Sequence, residues 1–330
     1  MIHPIPPGTR DILPDEMREL RKLHRALIEV FEGRGYGEVA TPAIEYDEVL
    51  ARGSGRTAES AYRFFDERGD LLTLRSDMTV PIARLAASRY SGAELPLRLC
   101  YLANAFRAVR PQRGQMREFA QAGVELIGVP APDGTAEVVE VLDAALDAAG
   151  LDRAVIGLGD ADLYRQLLAE LQVSEAARDS ILTRLATHDL VGLEAELSRA
   201  GIDDVQVATC LSLSQLRGGR EALEQAREIG GKAVERATAR IGETFAALEQ
   251  RGAAGRVRID LGLLRDLGYY SGAILEVYDP ALGHVLGGGG RYDGLLRRFG
   301  LDLPAAGFAL YLERVHVAQM EEESRRGETP

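Results

Sequence analysis

About ninety residues of helical character, from about Leu163 to Gln250, lie between two stretches of strand-forming sequence, so a single sheet must draw its strands from both sides of a helical block. The block is rich in Ala, Leu, Glu and Arg. Within it Val234, Ala237, Ile241, Phe245 and Leu248 recur every three or four residues, the spacing of one buried helix face. After the block, Val257-Arg-Ile-Asp-Leu alternates apolar and polar residues as a strand does, and Ala273 to Tyr278 has the same character. Before it, Pro and Gly break short apolar runs from about Val39 to Gly128, and Leu97-Arg-Leu-Cys-Tyr-Leu and Val124-Glu-Leu-Ile are the clearest strands. The predicted organisation is a core from residues 1–160 and 252–320, an inserted helical module at 161–251 and a polar tail at 321–330.

Further helices frame the strands. The opening Pro6-Pro7-Gly8-Thr9-Arg10-Asp11 reads as a turn. After Pro14, the apolar residues Met17, Leu20, Leu23, Leu27 and Phe31 mark an amphipathic helix ended by Gly33 and Gly35. Another helix is predicted near Ala136 to Ala149, and a last one from about Pro304 to Met320 with a frayed tail beyond it. Helices gathered on strands from separate parts of the chain make an α+β fold.

A chain of 330 residues, 46% of them hydrophobic and 27% charged, can bury a large core and a smaller one without staples. Cys100 and Cys210 lie far apart with no Cys/His cluster beside either, so no disulfide framework, zinc or other metal is expected. No window reaches the roughly 18 uninterrupted apolar residues of a membrane span. The start, Met1-Ile-His-Pro-Ile-Pro-Pro, lacks the features of a signal peptide, so the cytoplasm is the expected compartment. The 39 Lys and Arg against 51 Asp and Glu leave a formal charge of −12, which weighs against tRNA as the main partner, although an acidic protein can carry a local basic patch.

Three segments carry candidate chemistry. From Arg98 to Arg117 there are five arginines (Arg98, Arg107, Arg110, Arg113, Arg117) and no acid, which suits an anion site; a solvated loop paired to distant acids gives the same sequence. In Glu118-Phe-Ala-Gln-Ala-Gly-Val-Glu-Leu-Ile-Gly128, a strand puts Gln121, Gly123 and Glu125 on one face and Ala122, Val124 and Leu126 on the other. The polar face then carries an amide, a gap that lets a ligand approach, and a carboxylate. A half-exposed strand with routine polar residues reads identically. The third segment, Leu264-Arg265-Asp-Leu-Gly-Tyr269-Tyr270-Ser-Gly followed by Gly287-Gly-Gly-Gly-Arg291-Tyr292-Asp293-Gly294, lacks the spacing of a phosphate-binding glycine loop but allows close backbone approach; taken alone, the glycine run reads more readily as a flexible turn. The five histidines show no metal or triad spacing.

Taken in order, these segments resemble the histidyl-tRNA synthetase family, a class II aminoacyl-tRNA synthetase family, over nearly the whole chain. The matching runs are Pro7-Gly-Thr-Arg-Asp-Ile-Leu-Pro14, Thr41-Pro-Ala-Ile-Glu45, Leu74-Arg-Ser-Asp-Met-Thr79, Phe106-Arg107 to Gln121-Ala-Gly-Val-Glu125, Arg265 to Tyr270, Gly289-Gly-Arg-Tyr-Asp-Gly294 and Gly307-Phe-Ala-Leu-Tyr-Leu-Glu-Arg314. The resemblance implies the class II fold, a mostly antiparallel sheet flanked by helices, usually as a dimer. It also implies a histidine site at Asp77, Thr79, Arg107, Gln121, Glu125, Arg265, Tyr269 or Tyr270, and Tyr292. Glu125 and a tyrosine hydroxyl suit the imidazole nitrogens, Asp77 the ammonium, and Gln121 with an arginine the carboxylate. Asp77 is one methylene shorter than the family's glutamate.

The nucleotide half departs from the pattern. Val109 and Gln115 stand where the family has Glu and Arg, Tyr311 stands where it has a second Gly, and Gly268 where it has an acid. The chain also ends soon after the last matching run, leaving no space for an anticodon-binding domain of roughly 100 residues. Together with the runs Arg75-Ser-Asp-Met-Thr79 and Gly114-Gln-Met-Arg-Glu-Phe119, these departures resemble the ATP phosphoribosyltransferase regulatory subunit family. That resemblance implies a non-catalytic, cofactor-free subunit. It would form a homodimer within a hetero-oligomer with a short catalytic ATP phosphoribosyltransferase, take histidine as effector and bind no tRNA. Two alternatives stand beside it: a truncated ligase that makes histidyl-adenylate, and a histidine-sensing adaptor for another partner.

Overall fold

Pro14 opens helix α1 (Pro14–Gly33), where its missing N–H costs nothing, and Asp15 and Glu16 in the first turn favour the positive end of the helix dipole. Leu20, Leu23, Leu27 and Phe31 form its buried face, as their spacing predicts. The computed structural model describes residues 5–54, 61–109, 116–265, 268–280, 282 and 284–327.

After α1 come β1 (Gly37–Glu38), β2 (Ile44–Tyr46), α2 (Asp47–Ser54), β3 (Arg63–Phe65), β4 (Leu71–Leu74), α3 (Thr79–Arg89), β5 (Leu97–Phe106), β6 (Glu118–Ile127), α4 (Asp133–Ala148) and β7 (Val155–Asp160). The helical block follows: α5 (Leu163–Glu170), α6 (Glu175–Ala186), α7 (Leu190–Arg199), α8 (Asp204–Gln215), α9 (Arg220–Ile229) and α10 (Lys232–Gln250), interrupted by the two-residue β8 (Arg217–Gly218). The chain then adds β9 (Val257–Asp260), β10 (Ala273–Tyr278), β11 (Val285–Arg291), β12 (Ala305–Tyr311) and α11 (Leu312–Arg326). In the block, Ser174, Asp189 and Asp203 each cap the helix that follows by accepting a backbone N–H, which explains its division into short helices.

Nine strands form one sheet in the order β1-β5-β6-β12-β11-β10-β7-β9-β8. The β1–β5 and β7–β9 pairings are parallel and the others antiparallel. The central strands β6, β12, β11 and β10 thus come from both sides of the helical block. Helix α4 packs against α1 and α10, and all three touch the sheet. Apolar residues of the block, among them Tyr164, Leu185, Leu213 and Leu248, share one buried cluster with Leu158, Leu275 and Leu310 of the sheet. A second, three-stranded sheet has the order β2-β4-β3. Among the described residues no helix is long and apolar enough to cross a membrane, and no group of three or more His, Cys, Asp or Glu could hold a metal.

Three local expectations are corrected. The predicted final helix from Pro304 begins instead as strand β12, and the helix starts only at Leu312. Ala305-Ala-Gly-Phe-Ala-Leu-Tyr311 favours helix by composition, but pairing with β6 on one side and β11 on the other overrides that preference. Helix α11 continues to Arg326, past the start of the expected tail, because Glu322 is buried and accepts hydrogen bonds from the backbone of Asp152 and Arg153. The glycine run is the interior of strand β11, paired on both edges, rather than a turn.

Candidate functional site

Strand β6 is paired on both edges, by β5 and β12, and side chains on both of its faces are buried, Gln121 and Glu125 on the polar face being only 2% and 1% exposed. The half-exposed alternative is therefore set aside for this strand. Glu125 is held by two hydroxyls: Thr79 Oγ1, in the first turn of α3, donates to Oε1 at 2.8 Å, and the Tyr292 hydroxyl, just after β11, donates to Oε2. Burial drives the Glu125 carboxyl up to about 8, against the lowering effect of those two hydrogen bonds. The group is thus mostly protonated at neutral pH, able to donate as well as accept.

Around this carboxyl lie the other expected residues. Asp77, Thr79, Arg107, Gln121, Arg265, Tyr269, Tyr270 and Tyr292 line one small cavity of about 30 Å³; Glu125 is not among its lining residues and is tied to it through its hydrogen bonds to Thr79 and Tyr292. Tyr269 packs against Tyr270 and Tyr292, with ring centroids 4.9 and 6.0 Å apart. Asp77 precedes α3 and accepts the Val80 N–H at 3.1 Å, so the short side chain partly serves the helix start. Burial raises the Asp77 carboxyl, with the Val80 bond and the Arg107 charge opposing.

The opposite end of the cavity is cationic. The Arg107 guanidinium lies 4.9 Å from the Phe119 ring centroid, and Arg265 donates to the Leu275 carbonyl at 3.3 Å. Among the described cavity-lining side chains, the fully buried Gln121 Oε1 has no hydrogen-bond partner in the protein. An acceptor left so inside a fold calls for a donor from a ligand or water.

The arginine-rich stretch does not converge as a set. Arg98 pairs with Glu137 of α4 at 2.7 Å, and Arg117 donates to the Val109 carbonyl at 3.1 Å, so of the described arginines of the stretch only Arg107 lines the cavity. Arg110, Arg113, Gln115 and Asp266 lie outside the described residues. Sequence reasoning missed Tyr101, which lines the cavity and stands opposite Gly123 in the β5–β6 register. A Cβ on Gly123 would lie 2.6 Å from the Tyr101 hydroxyl, so the expected ligand gap is filled by the protein itself. A tyrosine next to the last residue of the predicted strand 97–102, facing a glycine in the neighbouring one, is the signal that could have found it. Tyr311, read from the sequence only as a departure in the nucleotide half, also lines the cavity.

A histidyl-tRNA synthetase family model matches residues 8–315. The ATP phosphoribosyltransferase regulatory subunit of Moorella thermoacetica is 43% identical over 96% of this chain and 82% of its own, and that of Symbiobacterium thermophilum is 40% identical over 96% and 79%. A crystal structure described as an ATP phosphoribosyltransferase regulatory subunit/histidyl-tRNA synthetase from Bacillus halodurans superposes with a TM-score of 0.87 at 32% identity, covering 97% of this chain and 84% of that one. The mostly antiparallel sheet, its helical cover and the colinear motifs agree with these likenesses: the chain belongs to the ATP phosphoribosyltransferase regulatory subunit family, built on the class II fold of histidyl-tRNA synthetase.

Proposed function

We propose that this chain binds free histidine in the cavity between Glu125 and Arg107, and that occupancy lowers the activity of a short catalytic ATP phosphoribosyltransferase with which it forms a cytoplasmic hetero-oligomer. In that assembly it acts as a non-catalytic homodimer, and its net acidity favours a protein partner over tRNA.

The observation that carries the reading is the buried, unpartnered Gln121 Oε1 in a cavity with a carboxyl end and a guanidinium end. A zwitterionic amino acid supplies what each end lacks. Its ammonium donates to Gln121 Oε1 and Asp77, its carboxylate meets Arg107 and Arg265, and its imidazole reaches the Glu125 region, where a carboxyl near neutrality can donate or accept. The orphan oxygen shifts Gln121 from the expected carboxylate role toward the ammonium.

A space of about 30 Å³ holds little more than a water molecule or two, far less than histidine requires. Binding must therefore move the tyrosines that line it. A ligand that fits one arrangement and not the other shifts the balance between them, which is the physical requirement for feedback control. The test is a reconstituted complex with the catalytic subunit. Histidine is expected to inhibit the wild-type complex and to lose most of its effect with Glu125→Ala. Inhibition unchanged by that substitution would contradict the pocket assignment, and robust histidine-dependent exchange of pyrophosphate into ATP would identify a ligase instead.

A further inference from the structure

Tyr311 ends strand β12, paired in register with Gln121 of β6, so its side chain stands at the guanidinium end of the cavity. Its ring is clamped by cations and by one aromatic neighbour. Arg314 Cζ lies 4.7 Å and Arg107 Cζ 5.8 Å from the ring centroid, and Phe119 meets it edge-on at 5.5 Å. Arg265, from the segment after β9, lines the same cavity. Three guanidiniums thus converge where, among the described residues, the wall offers no carboxylate other than Asp77, which already receives the Val80 N–H.

We propose that Tyr311, in its ionised form, is the resident counter-ion of this arginine cluster, and that an incoming ligand carboxylate displaces it from Arg107 and Arg265, the phenolate taking up a proton from solvent as it does so. The inference rests on the histidine reading for the identity of the ligand. It adds a residue that senses whether the ligand carries a free carboxylate, and it makes occupancy depend on pH.

The electrostatics agree with the geometry. Burial pushes the Tyr311 phenol up, but Arg107, Arg265 and Arg314 together outweigh it and bring the group down to about 8. Apart from the arginines, the other described titratable groups in the lining are Asp77 before α3, Tyr101 of β5, Tyr269 and Tyr270 before β10, and Tyr292 after β11, with Glu125 of β6 hydrogen-bonded to Tyr292. Each of these is raised, chiefly by burial. Tyr311 is therefore the tyrosine of the cavity that ionises near neutrality. A ligand carboxylate placed beside the same guanidiniums removes the attraction that lowers it, so the proton returns.

Tyrosinate absorbs at longer wavelength than tyrosine, so ultraviolet difference spectra of the full chain, taken as a pH titration, report the group directly. One tyrosine is expected to titrate near pH 8 in the wild type and to be missing from that range in Tyr311→Phe. Saturating histidine is expected to move this titration upward. Histidinol, which keeps the imidazole and ammonium but lacks the carboxylate, is expected to leave it in place. Calorimetry in buffers of different ionisation enthalpy should show proton uptake on histidine binding in the wild type that is reduced in Tyr311→Phe. Glu125 contributes equally to both proteins, so the difference isolates Tyr311. Absence of the early-titrating tyrosine overturns the proposal, as does an equal shift with histidinol. If calorimetry shows histidine bound while the tyrosine signal stays still, the exchange is wrong and the histidine reading survives. If histidine binds neither protein while Tyr311 titrates early, the histidine reading fails and the exchange fails with it.

Discussion

Glu125 and Gly307 face each other across the β6–β12 pairing, and a Cβ at residue 307 would lie 1.9 Å from Glu125 Oε2. The glycine is what allows a buried carboxyl to reach both Thr79 and Tyr292 from the middle of a sheet. In Gly307→Ala the Val124 carbonyl, 2.4 Å from the same point, must also yield, so relaxation involves backbone. The variant is expected to lose ~1–3 kcal/mol of stability, the usual range for overpacking, and to lose histidine affinity with it. Thermal unfolding and calorimetry check both; an unchanged melting temperature would show that this contact does not position the carboxyl.

The raised Glu125 carboxyl makes stability depend on pH. Its ordinary value is 4.5 and its folded value about 8, so between these the unfolded chain has lost a proton that the folded chain keeps. Stability from this group is fully present below pH 4.5 and declines as pH rises toward and through about 8. Across that window the loss is on the order of a few kcal/mol. Glu125→Gln keeps the shape without the charge, so its melting temperature should fall less than that of the wild type between pH 6 and 9. Parallel curves would place the carboxyl's titration elsewhere.

Sheet and helical block are joined by a bidentate ion pair: Arg240 of α10 donates to both oxygens of Asp160 at 2.8 Å, and the Asp160 side chain has no solvent exposure. Removing one member leaves a buried charge. Because Arg240 is partly exposed, Arg240→Ala is expected to cost roughly 2–3 kcal/mol, below the roughly 3–5 of a fully buried pair. Urea unfolding measures it, and the double substitution with Asp160→Asn should recover part of the loss. A cost below about 1 kcal/mol would class the contact with surface pairs.

What the sequence disclosed depended on periodicity. Helix α1 was legible because Leu20, Leu23, Leu27 and Phe31 form one stripe, and the site-bearing face of β6 because Gln121 and Glu125 sit an even number of residues apart. Strands β11 and β12 were not, because Gly287 to Gly290 and Ala305 to Tyr311 carry no strand signal of their own. Their conformation comes from neighbours on both edges, which are distant in sequence. The short strand β7 and helices α2 and α3 also escaped, being brief elements in segments punctuated by Pro and Gly. For the candidate site, most residues that line the cavity were accessible but their states were not. That Glu125 holds a proton, that Gly123 is backed by Tyr101, and that the cavity is nearly closed all follow from packing.

Histidine binding by this chain alone, through the buried amide of Gln121, is the central claim. Calorimetric titration of histidine into the wild type and into Gln121→Met addresses it directly, because methionine keeps the side chain's length and removes the unpartnered oxygen. Saturable binding is predicted for the wild type. In the variant it should be weaker by roughly tenfold or more, with a melting temperature equal to or above that of the wild type, since a buried unsatisfied acceptor has been removed. No binding to the wild type, or equal affinity in both proteins, would contradict the account.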